Sequence, residues 1–531
     1  MIRQLETDDR ILYWICAILL LPALLINLGL GAIMMDEPTR ALVALEMIFS
    51  GNYITPTLFG EYYYNKPPFY NWILVAIFRL SGNTSEWALR LPVVFFLLVY
   101  GLTIFYFVRR HFHWKIAFFS AIMFVTCGRM LILASFVGHI DIFYSWITFL
   151  SFMAIFHYHA RGKWLQLFVV SYALAAIGFL CKGLPAIVFQ GSTILAFLIW
   201  HREWKRLFSW QHIAGGTLFL LITGGYLWAY SQYHSLAEYF PTLWFESSRR
   251  TPIHKAWYES LLHLFTFPFE TLMHLLPWSL LVLYALRRDY WKKIREEPFL
   301  GFCLLLLAVN IVPYWLSPDT RPRYIFMLFP LLFTLIAYAW HHYRTQSPRL
   351  NRLIETTFLV ASVVATLAVW SAPFIEVVKD LPWVWVKVVV LFLGMGLASW
   401  LYYRLPAQRM VLFAIVLLLF RIGFDWFIMP HRYLTGTLTA YQRDGIKIAE
   451  ITRGEPLRLH DDFYFNHDLA YYISRERKEI LRKYHEVSPG IFYICNDSLL
   501  ATRPHDLYFD FHEQNLNRHL NLVKFKNEPD P

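Results

Sequence analysis

From Ile11 almost to Met429 the chain is a succession of apolar runs, each long enough to cross a hydrocarbon core of roughly 30 Å, which takes about 20 helical residues. The runs are continuous and do not alternate apolar with polar positions, so they predict helices and not the strands of a barrel. Length and flanking charge place about thirteen spans, near 11–31, 90–108, 116–134, 140–157, 165–180, 184–200, 212–230, 260–286, 299–316, 324–342, 353–373, 384–403 and 411–429. Two of the intervening loops are long. The first, 32–89, is too rich in Pro, Gly and Tyr to span, yet the stretch Phe69 to Phe78 within it is amphipathic enough to form a helix lying along the interface. The second, 231–259, interleaves aromatics with Arg249, Arg250, His254 and Lys255.

Beyond Arg432 the pattern changes. Charged residues become frequent, and strand-like runs at Leu457 to His460, Glu479 to Leu481 and Ile491 to Cys495 alternate with helical patterns such as Gly445 to Thr452. The expected architecture is an all-α polytopic membrane domain, 1–431, with amphipathic outer-loop helices, followed by a small soluble α/β domain, 432–531.

Composition agrees with that picture: 57% of the 531 residues are hydrophobic and 19% aromatic, well above the apolar share of a water-soluble protein. The first apolar run is longer than a signal-peptide core and lacks a small-x-small cleavage site before Asp36-Glu37, so it reads as a permanent span. A net charge of +11 would suit nucleic acid, but the basic residues crowd into alternate short loops: 109–115, then Arg161 and Lys163, then Arg202, Lys205 and Arg206, then 287–295, then Arg344, Arg349 and Arg352, then Arg404 and Arg409. By the positive-inside rule these loops face the cytoplasm, as does the N-terminus, and an odd number of spans sends the C-terminal domain outside. Cys16, Cys127, Cys181 and Cys303 lie in or beside apolar spans and form neither a disulfide framework nor a metal-ligand spacing.

Candidate chemistry is concentrated in the first outer loop. Asp36-Glu37 stands where a span meets water, a place from which a carboxylate pair can act as general base or bind a cation; the same pair before Pro38 can equally cap the following helix. Lys66 precedes Pro67-Pro68, which hold the backbone stiff and present the ammonium from a fixed point; it suits a lipid phosphate or a plain headgroup anchor. Asp141 heads the fourth span as a cap at the water boundary or a functional acid, Lys182 between two apolar runs marks a helix end or a site, and Arg321 and Arg323 before another span suit interface anchors or, as an arginine fork, a phosphate. His139 reads first as a structural histidine, and His460-Asp461-Asp462 with His467-Asp468 as turn residues before a metal site.

The stretch from Asp36 to Trp72 resembles the signature of the GT-C glycosyltransferases, in the branch holding protein O-mannosyltransferases and the lipid A aminoarabinose transferase. The residues that carry the resemblance are Asp36-Glu37, the helical run Arg40 to Met47, Gly51-Asn52-Tyr53 with Pro56, and Lys66-Pro67-Pro68-Phe69 with Trp72. Gly138-His139-Ile140-Asp141, Lys182-Gly183-Leu184-Pro185 and Arg323-Tyr324 with Pro330 resemble later family motifs.

The resemblance implies a transferase that takes a sugar from a polyprenyl (undecaprenyl) phosphate donor at the periplasmic face of a bacterial inner membrane, with inversion, and passes it to lipid A, a protein hydroxyl or a surface glycan. In that reading Asp36, Glu37 and Asp141 are catalytic. Lys66, Arg249, Arg250, Arg323 and Lys182 bind the donor phosphate, and Tyr63, Tyr64, Tyr70, His139 and Tyr324 line the substrate pocket. No nucleotide or nucleic acid is involved. One carboxylate pair without further ligands is compatible with a divalent cation or with none. The competing reading is a transporter that moves a lipid-linked sugar without chemistry, which would place ionisable residues near the bilayer midplane.

Overall fold

The computed structural model describes residues 10–248, 257–460, 463–501, 503–513 and 517–526. All thirteen stretches read as spans fall on helical segments. Among the described residues, eight helices are long and apolar enough to cross a membrane. A ninth candidate is the pair Trp114–Thr126 and Gly128–Phe136, bent by 44°. The other four stretches fall on Arg10–Leu25, Asp141–His159, Pro185–Trp200, and Trp257–His274 with the turn Trp278–Leu286. Prolines open several of these helices, at Pro185, Pro298 and Pro348, where the missing N–H would have no helical acceptor in any case.

The break in the bent pair falls at Cys127, whose backbone is extended, and the N–H of Gly128 donates to the Leu276 carbonyl at 2.7 Å. Its second arm is pinned by a late helix: Arg421 donates to the Leu131 carbonyl and pairs with Asp425 at 3.0 Å. Both charges are fully buried and satisfy one another, as charges at membrane depth must.

The long loop 32–89 folds into compact structure. Helix Glu37–Ser50 is buried from Glu37 to Met47 except at Thr39. Glu46 on this helix gathers the hairpin that follows, accepting from Thr57 Oγ1 at 2.6 Å, Phe59 N at 2.6 Å and Gly60 N at 3.1 Å. The amphipathic stretch is a helix, Phe69–Ser81, which buries Tyr70, Asn71, Leu74, Val75 and Phe78 on one face.

Arg90 ties this loop to the bundle. All five of its donors are used: two on the Glu37 carboxylate at 2.8 and 2.9 Å, and three on the carbonyls of Leu28, Gly31 and Ala32 at 2.8 to 3.1 Å. Glu37 is saturated in return, accepting also from Met34 N at 2.8 Å and Gly138 N at 2.5 Å. The clamp joins the exit of the first helix, the loop 32–89 and the loop ahead of Asp141. Gly138 is required here by close approach, since a Cβ would stand 3.0 Å from Glu37 Oε1.

The C-terminal region carries a five-stranded sheet in the spatial order Arg482–Tyr484, Leu457–His460, Phe492–Asn496, Arg518–Phe525, His505–Glu513. The first three strands are parallel and the last two antiparallel. The run Glu479 to Leu481, expected as a strand, is instead the approach to strand Arg482–Tyr484. Lys478 takes a left-handed φ of 57° to end the preceding helix, and Glu479 pairs with Arg477.

This region grips the loop 32–89. Tyr472 OH accepts from Ile33 N at 3.0 Å and donates to Glu86 at 2.9 Å, while Arg475 reaches the same carboxylate at 3.3 Å. Thr39 Oγ1 lies 2.8 Å from His467 Nδ1, and Phe59 packs edge-on against Phe465.

Replacing Arg90 with alanine strands the Glu37 carboxylate in the interior and is expected to cost about 3–5 kcal/mol. The readout is a large drop in the thermal stability of the detergent-solubilised chain. Arg90→Lys, which keeps the charge but loses the fork, should fall between the two; an unchanged melting curve for Arg90→Ala would remove the clamp from the account.

Candidate active site

Where the loop 32–89 meets the bundle, residues from five separate segments converge. Asp36 occupies the N-cap position of helix Glu37–Ser50 but makes no side-chain capping bond. Its Oδ2 instead accepts from Arg323 Nη2 at 2.6 Å. Arg323 in turn donates to His139 Nε2 at 3.1 Å and lies 3.9 Å from Asp141 Oδ2. Asp141 also pairs with Lys182, whose ammonium stands 4.7 Å from the centre of the Tyr144 ring and 5.4 Å from that of Tyr324.

Lys182 ends its helix because Gly183 follows at φ 74°, a conformation that side chains avoid. A Cβ at 183 would also lie 2.8 Å from Leu243. The Lys-Gly turn therefore fixes where the ammonium is presented.

The two members of the acidic pair have parted. Glu37 is 0% exposed and saturated by Arg90, whereas the Asp36 side chain is 40% exposed, the open carboxylate of the cluster. Burial acts to raise the Asp36 pKa, but Lys66, Arg323 and His139 outweigh it and hold the carboxyl below its ordinary range, so it is ionised at neutral pH.

Lys66 is the counterpart. Among the described residues it has no hydrogen-bond or ion-pair partner. Burial, reinforced by Arg40, lowers its pKa to about 7 against the opposing pull of Asp36 and Asp141. Burial likewise takes His139 down to about 4, which keeps its ring neutral and able to accept from Arg323.

Arg129, in the short helix Gly128–Ile132 beyond the break, feels the charges of both Arg323 and Asp141. Its Nε is buried without a hydrogen bond, and no carboxylate lies within 4 Å among the described residues. The Glu37–Arg90 pair is internally neutral. Among the described residues what remains is five cations, Arg40, Lys66, Arg129, Lys182 and Arg323, against two carboxylates, Asp36 and Asp141. A partly buried site with cations in excess is built to receive an anion.

The aromatic candidates divide. Tyr324 lies beneath Lys182, and Arg323 stands over its ring at 5.7 Å. Tyr70 is fully buried with its hydroxyl unpartnered, and feels the charges of Asp141 and Glu37. Tyr63 is committed to Arg40, which donates to its hydroxyl. Tyr64 stands at the rim, its hydroxyl 2.8 Å from His234 Nε2 and 2.9 Å from Glu238. Arg249 and Arg250 lie outside the described residues, as do Asp461 and Asp462. His460, His467 and Asp468 sit in the C-terminal region, and no group of three potential metal ligands comes together among the described residues.

Sequence reasoning passed over Arg90 and Arg129. Each is an arginine within or at the edge of an expected span, and that cost alone marks such a residue for attention.

Ile325, the residue after Tyr324, lines an apolar cleft of about 200 Å³ together with Phe267, Leu272, Leu307, Ile311 and Leu328 among others.

The chain is similar to several known proteins. Residues 65–228 match the family described as dolichyl-phosphate-mannose-protein mannosyltransferase. An uncharacterized protein of Aquifex aeolicus (strain VF5) is 24% identical over 505 residues, 92% of each chain. The undecaprenyl phosphate-alpha-4-amino-4-deoxy-L-arabinose arabinosyl transferase 2 of Proteus mirabilis (strain HI4320) is 23% identical over 69% of this chain, which spans 66% of that protein's length. The crystal structure of ArnT from Cupriavidus metallidurans bound to undecaprenyl phosphate superposes with a TM-score of 0.71 at 19% identity, covering 98% of this chain and 99% of that one. By family match over residues 65–228 and by relatives the chain is similar to ArnT-like integral-membrane glycosyltransferases, and it shares the fold of ArnT.

Proposed function

We propose that the chain transfers a sugar from a polyprenyl-phosphate donor to an acceptor at the periplasmic face of a bacterial inner membrane, with inversion at the anomeric carbon. The observation that carries this reading is the half-open, ionised Asp36 set among cations, one of which, Lys66, has no partner among the described residues. The donor phosphate would sit at Lys66, assisted by Arg323 and by Arg249 or Arg250, and its apolar tail would leave through the cleft lined by Ile325.

In the reaction the acceptor oxygen attacks the anomeric carbon while the bond from that carbon to the phosphate oxygen breaks, the electron pair leaving with the polyprenyl phosphate. Cations already in place stabilise the charge that develops on the leaving group. Asp36 faces the acceptor and takes the proton of an attacking hydroxyl; an acceptor phosphate is already ionised and needs only orientation. Binding the donor contributes to this step directly. A phosphate that neutralises Lys66 removes one of the charges holding Asp36 down, so the carboxylate becomes a better base once substrate is bound.

Asp141 and Lys182 hold Arg323 and the donor side of the site. Glu37 acts by positioning the loop through Arg90. Residues 1–431 form the transferase body, and residues 432–531 form a second domain that fixes the loop bearing Asp36 and borders the acceptor side. The named relatives are transferases, which leaves the transporter alternative without support.

Asp36→Asn should lower transfer to a hydroxyl acceptor by about 10²-fold or more while leaving polyprenyl-phosphate binding intact. Full turnover by that variant on a hydroxyl acceptor would defeat the base role. Donor affinity should also depend on pH. Lys66 is charged below about pH 7 and loses its proton above it, so affinity for a phosphodiester donor, whose own charge does not titrate there, should be flat below that pH and fall above it. Lys66→Arg should abolish the fall, and a native profile that stays flat to pH 9 would free Lys66 of the phosphate.

A further inference from the structure

Three of the helices that bring residues to the site run from there to the far boundary of the bundle. Asp141 and His157 are 16 positions apart on one helix, which is about 24 Å of rise and comparable to a hydrocarbon core. Glu86–Arg109 and Trp164–Lys182 lie alongside, with Glu86 and Lys182 at the site end. At the opposite end the three helices leave a cleft of about 210 Å³ between them.

The body of this cleft is apolar, with Leu150, Ala154, Val170 and Leu174 among its walls, and its mouth carries Arg110 and His157. Arg110 donates to the His157 ring at 3.1 Å and stands 4.1 Å over the Tyr106 ring; Arg161 donates to the same imidazole at 2.7 Å. The charges acting on His157 are those of Arg161, Arg110 and Lys163, all cationic. Among the described residues none of the three cations has a carboxylate within 4 Å. Two guanidinium groups turned onto one imidazole leave their charge uncompensated at the end of these helices away from the site.

We propose that this cleft binds an anionic glycerophospholipid of the leaflet opposite the active site, with the phosphate held by Arg110, Arg161 and Lys163 and one acyl chain laid between the helices against Ala154 and Leu174. A zwitterionic lipid would bring an ammonium against the same three cations, so the mouth selects for net negative headgroups. None of these residues belongs to the transfer site, and the proposal stands or falls apart from the chemistry there.

Native mass spectrometry of the full chain in detergent, titrated with phosphatidylglycerol or with phosphatidylcholine, tests it. The native chain should retain the anionic lipid about tenfold more strongly. The double variant Arg110→Gln, Arg161→Gln should lose that preference while keeping polyprenyl-phosphate binding, which also reports that it is folded. Should the double variant lose that control, Arg161→Gln alone decides on the same comparison. Ala154→Leu, which narrows the cleft with the arginines intact, should weaken retention of phosphatidylglycerol. Equal retention of the two lipids by the native chain, a preference that survives the glutamine substitutions, or release of phosphatidylglycerol by millimolar inorganic phosphate would each overturn the proposal, the last by showing a site for phosphate alone.

Discussion

One buried ion pair organises the molecule. The Glu37–Arg90 clamp uses every donor of the guanidinium and fills the carboxylate with four bonds, so neither charge is left without a partner in an interior where that would cost several kcal/mol. Its reach explains its importance. It joins the end of the first helix, the loop that carries Asp36 and the loop that leads to Asp141, segments more than a hundred residues apart in the chain. Once these are tied, the orientation of Asp36 toward Arg323 follows, because the neighbouring carboxylate is already committed elsewhere.

Around that frame the charges are unequal by design. Asp141 neutralises Lys182, Asp36 engages Arg323, and among the described residues Arg40, Lys66 and Arg129 have no carboxylate within ion-pair distance. Preorganised cations of this kind cost stability in the empty protein and return it when an anion arrives. The C-terminal region acts on the same frame from outside. Tyr472, Arg475 and Gln442 converge on Glu86, four residues before Arg90, and His467 meets Thr39, three residues after Asp36. Its docking thus restrains both partners of the clamp at once.

Much of this was legible in the sequence, and the reasons for the rest are physical. Apolar runs gave the helical segments, since a membrane span has few alternatives, and family motifs brought Asp36, Lys66, Asp141, Lys182 and Arg323 forward before any geometry was in view. Spacing alone did not say which of two adjacent carboxylates turns inward. That depends on Arg90, 53 positions away, and long-range ion pairs leave no local pattern. Arg129 was hidden inside an apolar run that reads as one straight span, because the break at Cys127 is made by the carbonyl of Leu276 and not by a proline. The strand Arg482–Tyr484 was shifted in the reading because its residues are charged and half-exposed, so they carry no alternation.

The most direct test of the central claim is a cryo-EM map of the chain saturated with polyprenyl phosphate. The expected result is phosphate density within hydrogen-bonding distance of Lys66, on the Asp36 side of Arg323, with the tail entering the cleft bounded by Leu307 and Ile325. Phosphate density away from Lys66, with Asp36 still closed on Arg323 and no lipid nearby, would contradict the account.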